Sequence, residues 1–231
     1  MKILVVIPAR GGSKRLPGKN IRMLGGKPLV NWSIDVAKNI PEICDILVST
    51  DDAAIATICN EAGALVPWLR PAALATDTTT SSDTALHALS WYEEKRGPVD
   101  GLLLLQPTSP FRTKETLRKG IELFRSTSRL PVLGVAPTHA HPLWTLKMDG
   151  DYLVPYMHEH GLDTRSQDLP TAYVVTGSFY LISPADLRAT RSFLGIKTIP
   201  LVIEASKETL DIDTPLDFKV AEFLADHDDD N

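Results

Sequence analysis

Short apolar runs alternate along this chain with longer stretches of helical period. Residues 2–8 (KILVVIP) are a β-branched run that predicts a buried opening strand. Val30, Ile34 and Ala37 then recur at helical spacing within 28–40, with Pro28 suited to a first-turn position. A second strand is predicted over 45–50 (DILVST), and Ala54, Ile55, Ile58 and Cys59 give 51–62 a helical period. The alternation continues with a helix over 81–96 and an apolar strand over 101–105. A helix over 113–124 follows, with Leu117, Ile121 and Phe124 on one face, and then a strand over 130–135. This is the pattern of an α/β fold, a mostly parallel sheet covered by helices on both faces. Such sheets take ligands beyond the carboxyl ends of their strands, so chemistry is expected in the loops after Ile7, Ser49 and Leu105.

The rhythm breaks over about 138–172, which is rich in His, Pro, Asp and Gly and holds only short apolar pieces. That stretch reads as an arm inserted into a single domain spanning 1–231 rather than as a second domain. Strands are predicted again over 173–182 and 197–203. A helix over 214–225 closes the chain, where Thr214, Pro215 and Asp217 combine an N-cap, a first-turn proline and an acidic third position.

Composition narrows the function less than charge placement does. With 231 residues, 43% apolar and 23% charged, the chain can bury a full-sized core and is not disordered. Its net charge of −5 gives no reason to expect nucleic acid or a membrane surface as partner. Yet Lys2, Arg10, Lys14, Arg15, Lys19, Arg22 and Lys27 all precede the first acid, Asp35, while Asp226, Asp228, Asp229 and Asp230 crowd the end. A basic start on a nearly neutral body points to a local anion site. Cys44 and Cys59 are too few for a disulfide framework or a four-cysteine zinc site, and both sit among apolar neighbours as expected core thiols. No run approaches the roughly 20 apolar residues of a membrane span, and 3–7 is too short for a signal segment, so the cytoplasm is the expected compartment.

The basic loop runs Ala9-Arg10-Gly11-Gly12-Ser13-Lys14-Arg15-Leu16-Pro17-Gly18-Lys19-Asn20 directly after the first strand. Glycines let backbone amides approach an anion, and the four bases compensate its charge, which suits a polyphosphate. The spacing is neither a Walker A loop nor G-x-G-x-x-G: five residues separate Gly12 from Gly18, and Asn20 stands where Ser or Thr would follow the lysine. A second candidate is the pair Asp211 and Asp213. In an extended segment both carboxylates project to one side of Ile212, about 7 Å apart, where they could share a hydrated Mg²⁺. Alternatively, Asp213 only decorates the entry of the helix that Thr214 caps. The residues alone leave both readings open.

The glycine loop resembles the signature loop of the acylneuraminate cytidylyltransferases, which make CMP-activated sialic and related nonulosonic acids. Leu104-Leu105-Gln106-Pro107-Thr108-Ser109-Pro110-Phe111-Arg112, Asp211-Ile212-Asp213-Thr214-Pro215, and Leu69-Arg70-Pro71 followed by Leu74-Ala75-Thr76-Asp77 match the same family, in its order. The resemblance covers essentially the whole chain. It implies a Rossmann-like nucleotidyltransferase fold and a homodimer whose arm reaches the partner's site. CTP and a nonulosonic acid would be the substrates, with Mg²⁺ (or Mn²⁺) as cofactor and no nucleic acid or membrane involved. It places Arg10, Ser13 and Lys19 on the CTP phosphates, with Gly11 and Gly12 in the loop, and Asn20 on the ribose. Arg70 and the stretch containing Thr79, Thr80 and Ser82 lie near cytosine, and Gln106 faces the sugar acid. Asp211 and Asp213 carry the metal and, with Arg10 and Lys19, the catalysis.

The sugar side departs from the sialic acid enzymes. Trp144 stands where a carboxylate-associated lysine is expected, Arg165-Ser166-Gln167 replaces an Arg-Gln pair, and Val174-Val175-Thr176-Gly177 replaces Arg-Pro-Asn-Gly. The substrate expected is therefore a nonulosonic acid other than N-acetylneuraminate, of legionaminic, pseudaminic or KDN type. Arg165 and Lys147 are candidates for its carboxylate, Trp144 and Tyr180 for an apolar wall, and Gln167 for a polar contact. The arm residues His139, His141, His158 and His160 are expected to be surface side chains and not a zinc site. A sugar-1-phosphate nucleotidyltransferase and a catalytically silent nucleotide-binding protein on the same fold are the competing readings.

Overall fold

The computed structural model describes residues 1–138, 140–157, 162–195 and 197–227. Ten strands and six helices make up the described chain. They are β1 (Ile3–Pro8), β2 (Met23–Leu24), β3 (Lys27–Pro28), α1 (Leu29–Ala37), β4 (Ile43–Ser49), α2 (Ala53–Glu61), α3 (Ser81–Arg96) and β5 (Gly101–Leu104). Then come α4 (Lys114–Ser126), β6 (Val132–Pro137), β7 (Leu146–Asp149), β8 (Tyr152–Pro155), β9 (Tyr173–Ile182), α5 (Pro184–Thr190), β10 (Ile199–Val202) and α6 (Pro215–Asp226).

Six strands form one sheet in the order β10-β6-β9-β5-β1-β4. Strand β1 pairs in parallel with β4 and β5, and β10 with β6, whereas β9 runs antiparallel to both of its neighbours. The alternation of the opening run divides it between two cores. Ile3, Val5 and Ile7 pack with Ile34, Ile55, Leu117 and Phe124 from α1, α2 and α4, while Leu4 and Val6 pack with Ala85, Leu89 and Leu187 from α3 and α5. A third cluster, Leu16, Leu24, Leu29, Phe111, Ile212 and Phe218, lies beneath the basic loop and α6. The expected α/β architecture with a mostly parallel sheet is present.

Local chemistry explains the helix starts near the cleft. Asp52 caps α2 by accepting from the amides of Ala54 and Ile55. Capping boxes begin α3 (Thr80 with Asp83) and α6 (Thr214 with Asp217), the latter as its sequence predicts. Pro28 differs from expectation: it ends β3 and is the N-cap of α1, since a hairpin turning at Gly25 and Gly26, both at positive φ, occupies the end of the basic loop. Helix α5 and the antiparallel sense of β9 were not anticipated. Cys59 is buried, but Cys44 is exposed, because the start of edge strand β4 leaves one face uncovered.

The inserted stretch holds the β7–β8 hairpin, which pairs only with itself and turns at Gly150-Asp151. His141 is not a surface side chain: it is buried, its Nε2 lying 3.0 Å from the Pro170 carbonyl while its Nδ1 accepts from the Leu143 amide. His139, His158, His160 and the terminal aspartates 228–230 lie outside the described residues.

Candidate active site

A cleft of about 540 Å³ opens at the carboxyl ends of β1 and β5, the position the strand pattern predicts. It is lined by Arg10, Ser13, Lys14, Arg15, Lys19 and Asn20 from the basic loop, Arg70, Thr76, Asp77, Thr79, Thr80, Ser81 and Thr84 from the next segment, and Gln106, Thr108, Asp211 and Asp213 opposite. The three segments singled out in the sequence thus meet in one place.

The basic loop is held from below. Gly18, at φ 67°, opens a turn of 3₁₀-helix over Lys19–Ile21 that presents Lys19 and buries Asn20. Asn20 Nδ2 donates to the Arg10 carbonyl at 2.8 Å, leaving its amide oxygen for other use. Gly11 gives its amide to Asp51 Oδ1 at 2.9 Å, and a Cβ there would stand 2.7 Å from the Asp52 carboxylate, so this glycine is required by close approach. Neither Gly11 nor Gly12 lines the cleft, nor does Ser82, which is buried behind it in α3. Their nearness is that of a scaffold.

Arg70 is buried, with Nε donating to Ser49 Oγ at 3.0 Å and a terminal nitrogen donating to the Ser49 carbonyl. Burial pulls its pKa below the ordinary arginine value, Asp51 opposes that shift, and Arg10 adds to it. Thr79 and Thr80 border the cleft at the start of α3.

The acidic pair sits as an extended segment should. Ile212 is fully buried between Phe111 and Phe218, and its amide donates to the Thr108 carbonyl at 2.8 Å. Both carboxylates therefore face the cleft. Lys19 Nζ lies 3.2 Å from Asp213 and 2.8 Å from the Ile212 carbonyl, and Arg15 lies 3.3 Å from Asp213. Two carboxylates with open space before them fit a hard divalent cation that keeps phosphate and water among its ligands. A second internal ion pair had no role assigned from sequence: Asp77 meets Arg10 at 2.8 Å and also contacts Lys14. Those two bases hold the Asp77 carboxyl below the usual range. The Leu74-Ala75-Thr76-Asp77 match was the available signal.

Of the expected sugar contacts, only Gln106 lines the cleft. Trp144, Lys147, Arg165 and Gln167 sit on the inserted arm, where Trp144 Nε1 donates to the Thr164 carbonyl at 3.2 Å and the other three side chains are exposed. Tyr180, in β9, is half-buried and packs edge-on against Phe193 from the segment after α5. Within one chain these five are not brought to the cleft.

Comparison with known proteins agrees with this geometry. Residues 4–136 match the cytidylyltransferase family. The chain is 40% identical over 97% of its length, and 96% of the relative's, to the CMP-N,N'-diacetyllegionaminic acid synthase of Legionella pneumophila. It is 34% identical over 94% of its length to the N-acylneuraminate cytidylyltransferase of Streptococcus agalactiae, of which it spans about half (52%). Among solved structures, CMP:2-keto-3-deoxy-manno-octonic acid synthetase complexed with CTP shares the fold, with a TM-score of 0.70 at 20% identity over 98% of this chain and 99% of the other. With four bases and an acidic pair converging on one cleft, and similarity running the length of the chain, this protein belongs to the cytidylyltransferase family.

Proposed function

We propose that the protein activates a 2-keto-3-deoxy nonulosonic acid with CTP, giving the CMP-sugar and pyrophosphate. The observation that carries this reading is the convergence of Arg10, Lys14, Arg15 and Lys19 with Asp211 and Asp213 in one cleft. The anomeric oxygen forms a bond to the α-phosphorus, its proton is released, and the bond to the bridging oxygen of pyrophosphate breaks. Arg10, Ser13 and Lys19 bind the triphosphate, and the half-buried Lys19 exchanges Asp213 for phosphate as the nucleotide enters. The Asn20 amide oxygen faces the ribose, and Arg70 with the Thr79–Thr80 segment frames cytosine. Charge that grows on the phosphate oxygens meets cations already fixed by the loop, so little reorganisation is needed. Asp211 and Asp213 would hold Mg²⁺ (or Mn²⁺), which when bound neutralises phosphate charge and orients the leaving group. CTP as co-substrate places the reaction in the cytoplasm.

The arm supplies the rest in this reading. Leu146, Met148, Tyr152, Leu153, Tyr156 and Met157 are exposed on or beside the hairpin, a patch suited to a second copy of the chain. In a homodimer, Trp144, Lys147, Arg165 and Gln167 would then serve the partner's cleft. The substituted sugar-side positions, and the higher identity to a legionaminic acid enzyme than to a sialic acid one, favour a legionaminic-type acid over N-acetylneuraminate. Pyrophosphate release with CTP, Mg²⁺ and a panel of nonulosonic acids tests this. Preference for N-acetylneuraminate would overturn the sugar assignment. Turnover only with a sugar 1-phosphate, or CTP binding without turnover on any acid, would overturn the reaction.

A further inference from the structure

We infer that Arg112 is a positioning residue for the sugar-acid end of the cleft, fixing Gln106 and Gly177 to each other without touching substrate; the assignment rests on the reaction proposed above. Its basis is an irregularity in β9. Two steps along β6, from Leu133 to Val135, are matched by five along β9, from Tyr180 to Val175. Residues bulged out in this way lose ladder partners, and their buried carbonyls need donors from elsewhere. Arg112 supplies one of them, to Gly177. It is 3% exposed, and its guanidinium donates to the Gly177 carbonyl at 3.4 Å, to the Gln106 carbonyl, and to Ser33 Oγ at 2.7 Å. Three elements (the bulge of β9, the turn after β5 and helix α1) are thereby joined at one planar group.

The join reaches the cleft through close packing. A Cβ on Gly177 would stand 2.5 Å from Ser109 Oγ, 2.8 Å from Gln106 Oε1 and 3.5 Å from Asp211 Oδ1. The backbone of Gly177 therefore lies directly against the Gln106 side chain, and its placement decides where that amide points. The phosphate loop hangs from β1 and makes none of these contacts. Direct ion pairing does not account for Arg112: among the described residues it has no carboxylate within ion-pair distance, Glu208 and Asp211 favour its charge only from farther off, and its Nε is buried without an acceptor. A buried charge tolerated on those terms, aimed at three neutral oxygens, is a structural fork that lysine cannot imitate.

Steady-state pyrophosphate release, varying CTP and sugar acid separately, tests the assignment in wild type, Arg112→Lys and Ser33→Ala. Arg112→Lys keeps the charge and loses the fork, so KM for the sugar acid should rise about tenfold or more while KM for CTP stays within about twofold. Ser33→Ala, remote from the cleft, should raise the sugar-acid KM about threefold with the same selectivity, and it carries the test alone if Arg112→Lys does not fold. Equal changes in both KM values, a change in kcat alone, or a lower Tm with unchanged kinetics would overturn the positioning role. Wild-type protein inactive on every nonulosonic acid would instead overturn the proposed reaction and this assignment with it.

Discussion

Replacing Asp213 with Asn keeps the side-chain shape and removes its charge. That carboxylate lies 3.2 Å from Lys19 and 3.3 Å from Arg15. Coulomb's law at this separation gives about 1.3 kcal/mol in water and about 5 kcal/mol at an effective dielectric of about 20. Because the carboxylate is half-exposed, the lower figure governs stability, and the loss expected is about 0–1 kcal/mol. For a chain of this length that lowers Tm by no more than about 4 °C. The segment's anchors, Ile212 to Thr108 and the Asp213 amide to Asp217, do not use the side chain. The functional effects are larger and opposite in sign. Without divalent metal, Lys19 and Arg15 lose a competing anion, so CTP should bind more tightly, about tenfold for each 1.4 kcal/mol released. With Mg²⁺, kcat should fall at least about 10²-fold, or about 2.7 kcal/mol of transition-state stabilisation. Calorimetry in chelator and pyrophosphate release in Mg²⁺ read the two effects separately. Near wild-type turnover would remove Asp213 from the metal site. Weaker metal-free CTP binding would show that the Lys19 contact is a scaffold, and the counter-ion reasoning would fail.

Ile212→Ala empties a fully buried site between Phe111 and Phe218 and should cost about 2–5 kcal/mol in urea unfolding; a loss under about 1 kcal/mol would mean that the acidic segment is anchored otherwise. Burial raises the Asp217 pKa, but bonds from Thr214 and the Asp213 amide outweigh it and the net shift is downward. Stability from this group is thus present above the unfolded pKa of about 3.9 and is lost as pH falls through the lower folded value. Asp217→Asn should therefore destabilise at neutral pH and converge on wild type at about pH 2, and a gap independent of pH would refute this. Met148→Glu combined with Leu153→Glu should convert a dimer to monomers in sedimentation, whereas an unchanged mass would separate the hairpin from assembly.

What could be read in advance was what is local. The continuous apolar run from Ile3 to Ile7, the density of bases after it, the Asp-Ile-Asp spacing and the Thr214 cap each depend on a few adjacent residues, and the buried strand, the basic cleft wall, the cleft-facing carboxylates and the capping box follow from them. Long-range arrangement was another matter. Nothing in 173–182 marks β9 as antiparallel, because the sense of a strand depends on which neighbours it finds. Gly177 is the one position of its four-residue segment that keeps the family's residue, and its packing against Gln106 emerges only once β5 and β9 lie side by side. Asp77 and Arg10 are far apart in sequence, so their ion pair left no trace in spacing. Trp144, Lys147, Arg165 and Gln167 do not line the cleft for a related reason: where an arm lies depends on what it packs against, which residue spacing does not carry.

The antiparallel sense of β9 also bears on how such a protein can change. Since β6 and β9 are hairpin neighbours, everything between them leaves and re-enters the sheet at one point, with Pro137 paired to Tyr173 and the Thr138 amide bonded to the Ala172 carbonyl at 3.0 Å. Topologically the arm is one very long hairpin loop, closed at its base. It can be lengthened, shortened or exchanged without re-threading a strand or disturbing the loop that follows β1. A cassette of about 35 residues can thus vary in length and sequence while the sheet and the basic loop that line the cleft stay as they are.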